Sequence, residues 1–340
     1  MITRRSIASL AAGFLAGALA LASPALAEGK PKLTVYSYKS FTGKYGPGKT
    51  VKERFEAVCG CELEWVAADD TGALAGRLKL EGTATKADVV LGLDMNLAEE
   101  ARATGLFAPH GQSLDGLSLP VEWTDADFVP FDYGHLAFIY DATKLKAVPA
   151  SLKELVDNPN GPKLVIEDPR TSAPGLGFLL WMRKVYGADA DAAWAKLKPR
   201  VVTFTKGWSE AYELFLKGEA DMVMSYVTSP AYHIGVENET KYKAAAFTEG
   251  HYLHIEIAGM TRTSKQPALA KQFLGFVLSD GFQSAMPEGN WMVPVRLPKD
   301  GLPKSFETLV KPATTLLFSP AEVNANRRAF IDGWLAATSK

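Results

Sequence analysis

Gly43-Lys44-Tyr45-Gly46-Pro47-Gly48-Lys49-Thr50 has the G-x-x-x-x-G-K-[ST] spacing of a phosphate-cradling loop and lies between a strand pattern and a helix pattern. Paired with the apolar strand Val89-Val90-Leu91-Gly92-Leu93-Asp94, whose terminal Asp could hold a metal, it suggests nucleotide hydrolysis. Pro47 argues against that chemistry, because it has no N–H to offer a phosphate. A Gly-rich turn before a Thr-capped helix accounts for the same residues. Cys59-Gly60-Cys61 could close a local disulfide only through a tight bend at Gly60, since residues two apart on a strand sit badly for a bridge. A C-x-C redox or metal site would want a His or third Cys beside it, and none is there. His251 and His254 are three apart in a strand pattern, which puts them on opposite faces and argues against a metal pair. No H-E-x-x-H, G-x-S-x-G or G-x-G-x-x-G occurs, so neither a catalytic set nor a metal-ligand set is identified.

A group of aromatics falls at the ends of predicted elements. Tyr38 closes the first strand, Trp208 precedes a helix, Tyr226 and Tyr232 flank Thr228-Ser229-Pro230-Ala231, and Trp291 follows Gly289-Asn290. In open α/β sheets, ligands bind beyond the carboxyl ends of strands and at helix starts, so these are cleft positions. Such rings suit a flat or cationic ligand, with cation–π attraction of roughly 0.5–2 kcal/mol per ring. Packing at a lobe interface would use the same residues equally well. Asp168-Pro169-Arg170-Thr171-Ser172-Ala173-Pro174-Gly175 is either an anion site at a helix start or an ordinary cap.

The elements that must position these residues alternate. Strands are predicted at Leu33–Tyr38, Leu63–Ala67, Ala87–Gly92, Phe128–Tyr140 with a break at Pro130, Lys163–Glu167, Met222–Tyr226 and Tyr252–Ala258. Helices are predicted at Val51–Ala57, opened by a Thr50/Glu53 capping box, and at Leu74–Leu80, Gly177–Tyr186, Ser209–Lys217, Lys265–Leu278 and Ala321–Ala337. Ser151 and Glu154 form a second capping box. The alternation argues for an α/β fold, and two lobes joined by extended strands would explain its length without a flexible linker.

Composition bounds the rest. The 340 residues hold 37 Lys+Arg, 38 Asp+Glu and two cysteines. That balance gives no electrostatic reason for a nucleic acid or anionic membrane partner. Arg4 and Arg5, the uncharged run Ile7–Ala22 and Ala25-Leu26-Ala27 read as a secretory signal peptide cleaved after Ala27. The twin arginine does not decide between the two export routes. Removing residues 1–27 takes away two arginines and no acid, leaving 35 basic and 38 acidic side chains and a net charge of −3. An exported compartment also holds little ATP, a second objection to the nucleotide reading.

Leu33–Phe41, Lys86–Asp94, Phe128–Gly134, Glu167–Met182, Thr205–His233, Ser264–Pro294 and Lys311–Pro320, taken in order, resemble the thiamine-binding proteins of periplasmic ABC-type vitamin importers. The resemblance runs over almost the whole mature chain. It implies the two-lobed type II periplasmic binding fold, with hinge strands and an interlobe cleft. Lobe 1 is expected from residues 28–132 and 256–320 and lobe 2 from 133–255, with the lobe of the helix at 321–340 left open. It implies that Tyr38 and Tyr232 face a pyrimidine ring, with Asp70, beside Thr71 and Gly72, as a polar group near the vitamin. Trp208, Tyr226 and Trp291 match walls around the thiazolium, Ser172 matches a contact to the hydroxyethyl or phosphate end, and Tyr45 stands where the family has Trp.

The function so implied is a monomeric, non-enzymatic periplasmic carrier without a cofactor. It would pass thiamine, or its mono- or diphosphate, to a membrane permease and its ATPase. Burying a fixed cation needs compensation, which stacked rings and one Asp would supply. A thiaminase-like enzyme on the same fold would need a cleft Cys, whereas Cys59 and Cys61 lie in a predicted helix-to-strand turn. Iron binding would need paired Tyr with His or carboxylate, and polyamine binding several acids around the aromatics. The sequence shows neither set.

Overall fold

The computed structural model describes residues 29–339, so the expected signal peptide and its cleavage after Ala27 lie outside the described residues. Of these, residues 31–339 make up the folded body. Its strands are β1 (Lys32–Tyr38), β2 (Glu62–Ala68), β3 (Val89–Asp94), β4 (Val129–Asp141), β5 (Leu164–Glu167), β6 (Val201–Thr205), β7 (Met222–Tyr226) and β8 (His251–Thr261). Four two- or three-residue strands pair with the central strands β4 and β8. Its main helices are α1 (Gly48–Cys59), α2 (Thr71–Glu81), α3 (Leu152–Asp157), α4 (Ala173–Tyr186), α5 (Ala190–Leu197), α6 (Trp208–Leu216), α7 (Pro230–Val236), α8 (Pro267–Val277) and α9 (Pro320–Thr338).

The sheet runs β2-β1-β3-β8-β4-β7-β5-β6. Parallel pairs at each end (β1 with β2 and β3; β5 with β6 and β7) are buried under helices, as all-apolar runs such as Val89–Leu91 require. The two halves share β4 and β8, which pair antiparallel in the middle. β4 bonds to β8 through Val129–His135, then to β7 through Leu136–Tyr140. This is the two-lobed architecture with joining strands that the resemblance implies. The expected lobe divisions, after Asp132 and before Glu256, fall inside the shared strands. In one half Phe138, Phe178, Trp181 and Trp194 form the centre of a fully buried cluster. In the other, Val89 and Val90 on β3 face two clusters on opposite sides of the sheet. Each such side chain contributes about 1.5–3 kcal/mol by leaving water.

Tertiary contact moves several predicted boundaries. Helix α1 begins at Gly48, after Pro47, and the Thr50/Glu53 capping box is not formed. Gly48 lies against Phe41, where a Cβ would come within 2.9 Å of the Phe41 carbonyl, and Trp65 Nε1 donates to the Gly48 carbonyl at 3.0 Å. Those contacts start the helix before its apparent cap. The Ser151 cap of α3 is formed, its hydroxyl accepting from Glu154 N at 2.9 Å. Pro130 does not break β4, because the ladder shifts register between Glu256 and Ile257, opposite Asp132 and Pro130, in the manner of a bulge. In the phosphate-loop look-alike Gly46 packs closely: a Cβ there would strike the Ser40 and Phe41 carbonyls at 2.1 and 2.3 Å. Its N–H is spent on the Gly43 carbonyl at 3.1 Å.

Cys59 and Cys61 form a disulfide, with Gly60 at φ 65° making the bend. Helix α9 spans the two halves. It packs on α4 and α5, with Trp334 5.1 Å from Phe204, and on Met95–Ala103, with Arg327 Nη1 2.7 Å from Glu100 Oε2.

Candidate functional site

The carboxyl ends of the parallel strands, and the helix starts that follow them, carry the site, as expected for an open α/β sheet. Asp70 is the N-cap of α2, and its carboxylate accepts from Thr71 N at 2.6 Å. The same carboxylate takes the Ser172 hydroxyl at 3.0 Å, Ala173 N at 3.4 Å and Trp208 N at 3.0 Å. Thus the starts of α2, α4 and α6 meet on one buried acid. Burial raises its pKa, and the four donors partly offset this. Gly72 permits the approach, since a Cβ there would lie 2.5 Å from Thr171 C. Thr71 is buried and donates to the Gly92 carbonyl at 2.9 Å. Asp70, Thr71 and Ser172, expected to face a ligand, therefore spend their side-chain hydrogen bonds within the protein.

The aromatic positions separate into packed and exposed members. Trp208 stacks on Tyr212 at 5.0 Å and 29°, and its Nε1 donates to Ser225 Oγ at 2.7 Å. Tyr226, the next residue on β7, lies 5.4 Å from the His254 ring. Gly134 on β4 leaves room beside it, for a Cβ there would meet Met292 Cε at 3.0 Å and Tyr226 Cδ1 at 3.4 Å. Tyr232 on α7 meets Trp291 edge-to-face at 5.4 Å and 85°. Trp291 holds φ 54°, a left-handed backbone that a bulky residue adopts only under constraint. Tyr45 is 72% exposed, with Lys44 Nζ 5.1 Å from its own ring centre, and stays outside this packing.

Beneath the rings is a polar floor that the sequence reading missed. Tyr38 donates its hydroxyl to Glu256 Oε2 at 2.7 Å. Asn290 Nδ2 donates to Asp132 Oδ2 at 2.7 Å and to Glu256 Oε2 at 2.9 Å. Asp94 and Glu167, at the ends of β3 and β5, are fully buried, and neither Glu167 oxygen has a hydrogen-bond partner. Burial pushes Asp132 and Glu167 well above the usual carboxylate range, Asp132 also feeling Glu256. Burial would lower the pKa of His254, but Glu256, 3.9 Å away, and the charge of Asp94 raise it. The sequence shows no such set of acids because they come from strands distant in the chain, which the fold brings together. The available signal was an acid set among apolar strand residues: Asp94, Asp132, Glu167 and Glu256.

Among the described residues no group of three or more His, Cys, Asp or Glu could hold a metal. Both cysteines of the chain are in the disulfide, so neither is a free cleft thiol. A surface groove of about 620 Å³ between α5 and α9, lined by Asp191, Lys198 and Gly333 among others, contains none of the site residues.

Residues 38–284 match the family described as bacterial extracellular solute-binding protein. The thiamine-binding periplasmic protein of Escherichia coli (strain K12) is 57% identical over 311 residues, covering 92% of this chain and 94% of that protein. Its counterpart in Brucella melitensis is 54% identical over 314 residues, covering 92% and 94%. A solved structure titled periplasmic thiamin binding protein superposes with a TM-score of 0.90 at 57% identity, covering 92% of this chain and 97% of that one.

Proposed function

The chain belongs to the bacterial extracellular solute-binding protein family, and from that membership we propose that it is a periplasmic carrier which captures thiamine between its two lobes. Its fold is the two-lobed α/β fold of type II periplasmic binding proteins. The observation that carries the proposal is the Tyr226 ring, 5.4 Å from that of His254 and near buried Glu256, whose register partner Asp132 is also buried, on the strands shared by the two halves. Thiamine joins a permanently cationic ring to an aminopyrimidine with hydrogen-bonding edges. Aromatic faces attract such a cation, and nearby acids offset the cost of burying it.

In this reading Trp208, Tyr226, Tyr232 and Trp291 are the ring walls, and Tyr45 is a lip residue. Tyr38 acts together with Glu256, to which it is bonded. Asp70, Thr71, Gly72 and Ser172 form the seam where the lobes meet on the ligand. The lobes are residues 28–132 with 256–320, and 133–255, with α9 bridging them. The ligand set includes thiamine and its mono- and diphosphate, with no cofactor. The mature monomer delivers its cargo to a membrane permease and the permease's ATPase, and closure gives the permease a distinct surface to recognise.

Calorimetric titration of the purified mature protein with thiamine and its two phosphates tests this. One-to-one saturable binding of at least one form is expected, and no heat from any of the three would overturn it. Incubation with thiamine and a nucleophilic amine should leave the vitamin intact, since both cysteines are bridged.

A further inference from the structure

Three carboxylates stand in a row across the centre of the sheet. Glu256 on β8 is the register partner of Asp94 on β3 and of Asp132 on β4. Directly opposed residues share one face, with Cβ atoms roughly 4.5–5.5 Å apart, and like charges so placed repel. All three are buried, and an ionised carboxylate out of water is costly unless something answers its charge. Among the described residues no Lys or Arg ion-pairs with any of them. Among the described residues the one basic side chain within 4 Å of any of them is His254, two residues before Glu256 on the same face, with Nε2 3.9 Å from Glu256 Oε1.

His254 is itself incomplete. It is fully buried, and neither ring nitrogen has a hydrogen-bond partner. Asp94 Oδ2 and Asp132 Oδ1 are likewise buried without partners. Of these groups, the His254 ring lies 5.4 Å from that of Tyr226. A metal ion is not the missing partner, because the acids lie in a line along the sheet and form no coordinating group. A cation spread over a flat ring needs no convergent ligands. It requires only a negative surface beneath and an aromatic face beside it.

We propose that the row Asp94–Glu256–Asp132, with His254, is the charge-selective floor of the site and recognises a ligand by its fixed, delocalised positive charge. This rests on the thiamine reading and identifies the part of the vitamin being read, the thiazolium ring.

The test compares thiamine with an analogue of the same shape in which neutral thiophene replaces thiazolium, each titrated into the mature protein. Wild type should bind thiamine at least tenfold more tightly than the analogue. Glu256→Gln and Asp132→Asn should each shrink that ratio, weakening thiamine while sparing the analogue. Equal affinities in wild type overturn the charge-reading role and leave thiamine capture intact. Binding of neither compound overturns the thiamine reading, and this inference with it. The wild-type ratio decides even where a variant does not fold. A folded variant that keeps the full ratio refutes the part assigned to its residue.

Discussion

The Asp70 carboxylate accepts the main-chain N–H of Trp208 at 3.0 Å, joining the start of a helix in one half of the molecule to the start of a helix in the other. With Ser172 and Ala173 on the same acid, the carboxylate occupies the anion position offered by the N-termini of α4 and α6. One buried side chain thus couples the stability of the body to the closeness of its halves.

Asp70→Asn would turn an amide NH₂ toward donors that need an acceptor, leaving at least one N–H unpaired. The expected loss is about 1–3 kcal/mol of unfolding free energy, read by chemical denaturation without ligand. Unchanged stability would show that the acid does not bind the halves together in solution.

Trp208→Ala and Trp291→Ala should each weaken thiamine by about 1–3 kcal/mol while the domain stays folded. A titration returning the wild-type constant would remove the residue from the site.

Trp291→Gly should separate function from stability. Its φ of 54° is free of strain for glycine, so the backbone gains up to about 1 kcal/mol, partly offset by lost ring packing, while affinity falls as in the Ala variant. The comparison to make is Gly against Ala. If the Gly variant melts no higher than the Ala variant, the position carries no strain.

Acid should destabilise the protein through His135, whose pKa burial and the neighbouring His251 hold down to about 4, against about 6.5 when unfolded. Between those values the unfolded chain binds the extra proton, so stability present above pH 6.5 is lost as pH falls toward 4. Allowing for partial exposure, the effect is about 2 kcal/mol. His135→Gln should flatten this part of the denaturation profile relative to wild type. Parallel wild-type and variant profiles would mean that His135 titrates normally.

The Cys59–Cys61 bridge should be nearly silent. It closes a loop of three residues, for which chain entropy gives about 1–2 kcal/mol at most. It also lies at the end of β2 opposite the site: Lys32 pairs with Glu62, whereas Tyr38 pairs with Ala68, about 20 Å further along. The double Cys→Ser variant should keep the wild-type affinity. A tenfold loss would show that this edge communicates with the site.

The sequence by itself determined the α/β class, seven of the eight main strands to within a few residues, and the aromatics at element ends; β6 (Val201–Thr205), half-exposed at the sheet edge, was not anticipated. These follow from local periodicity, from turn chemistry and from a resemblance spread along most of the chain. Met222–Tyr226 falls where its apolar run predicts, because a buried central strand needs nothing beyond its own composition. The start of α1 at Gly48 was hidden, since it depends on Phe41 and Trp65 rather than on the Thr50 side chain. Only the tertiary structure decided that Asp70 serves three helix starts and that Asp94, Glu256 and Asp132 lie side by side. Those acids are 38 to 162 positions apart in sequence, and strand register alone makes them neighbours. Periodicity tells which face a residue takes, but what stands opposite it is set by the pairing of strands remote in the chain.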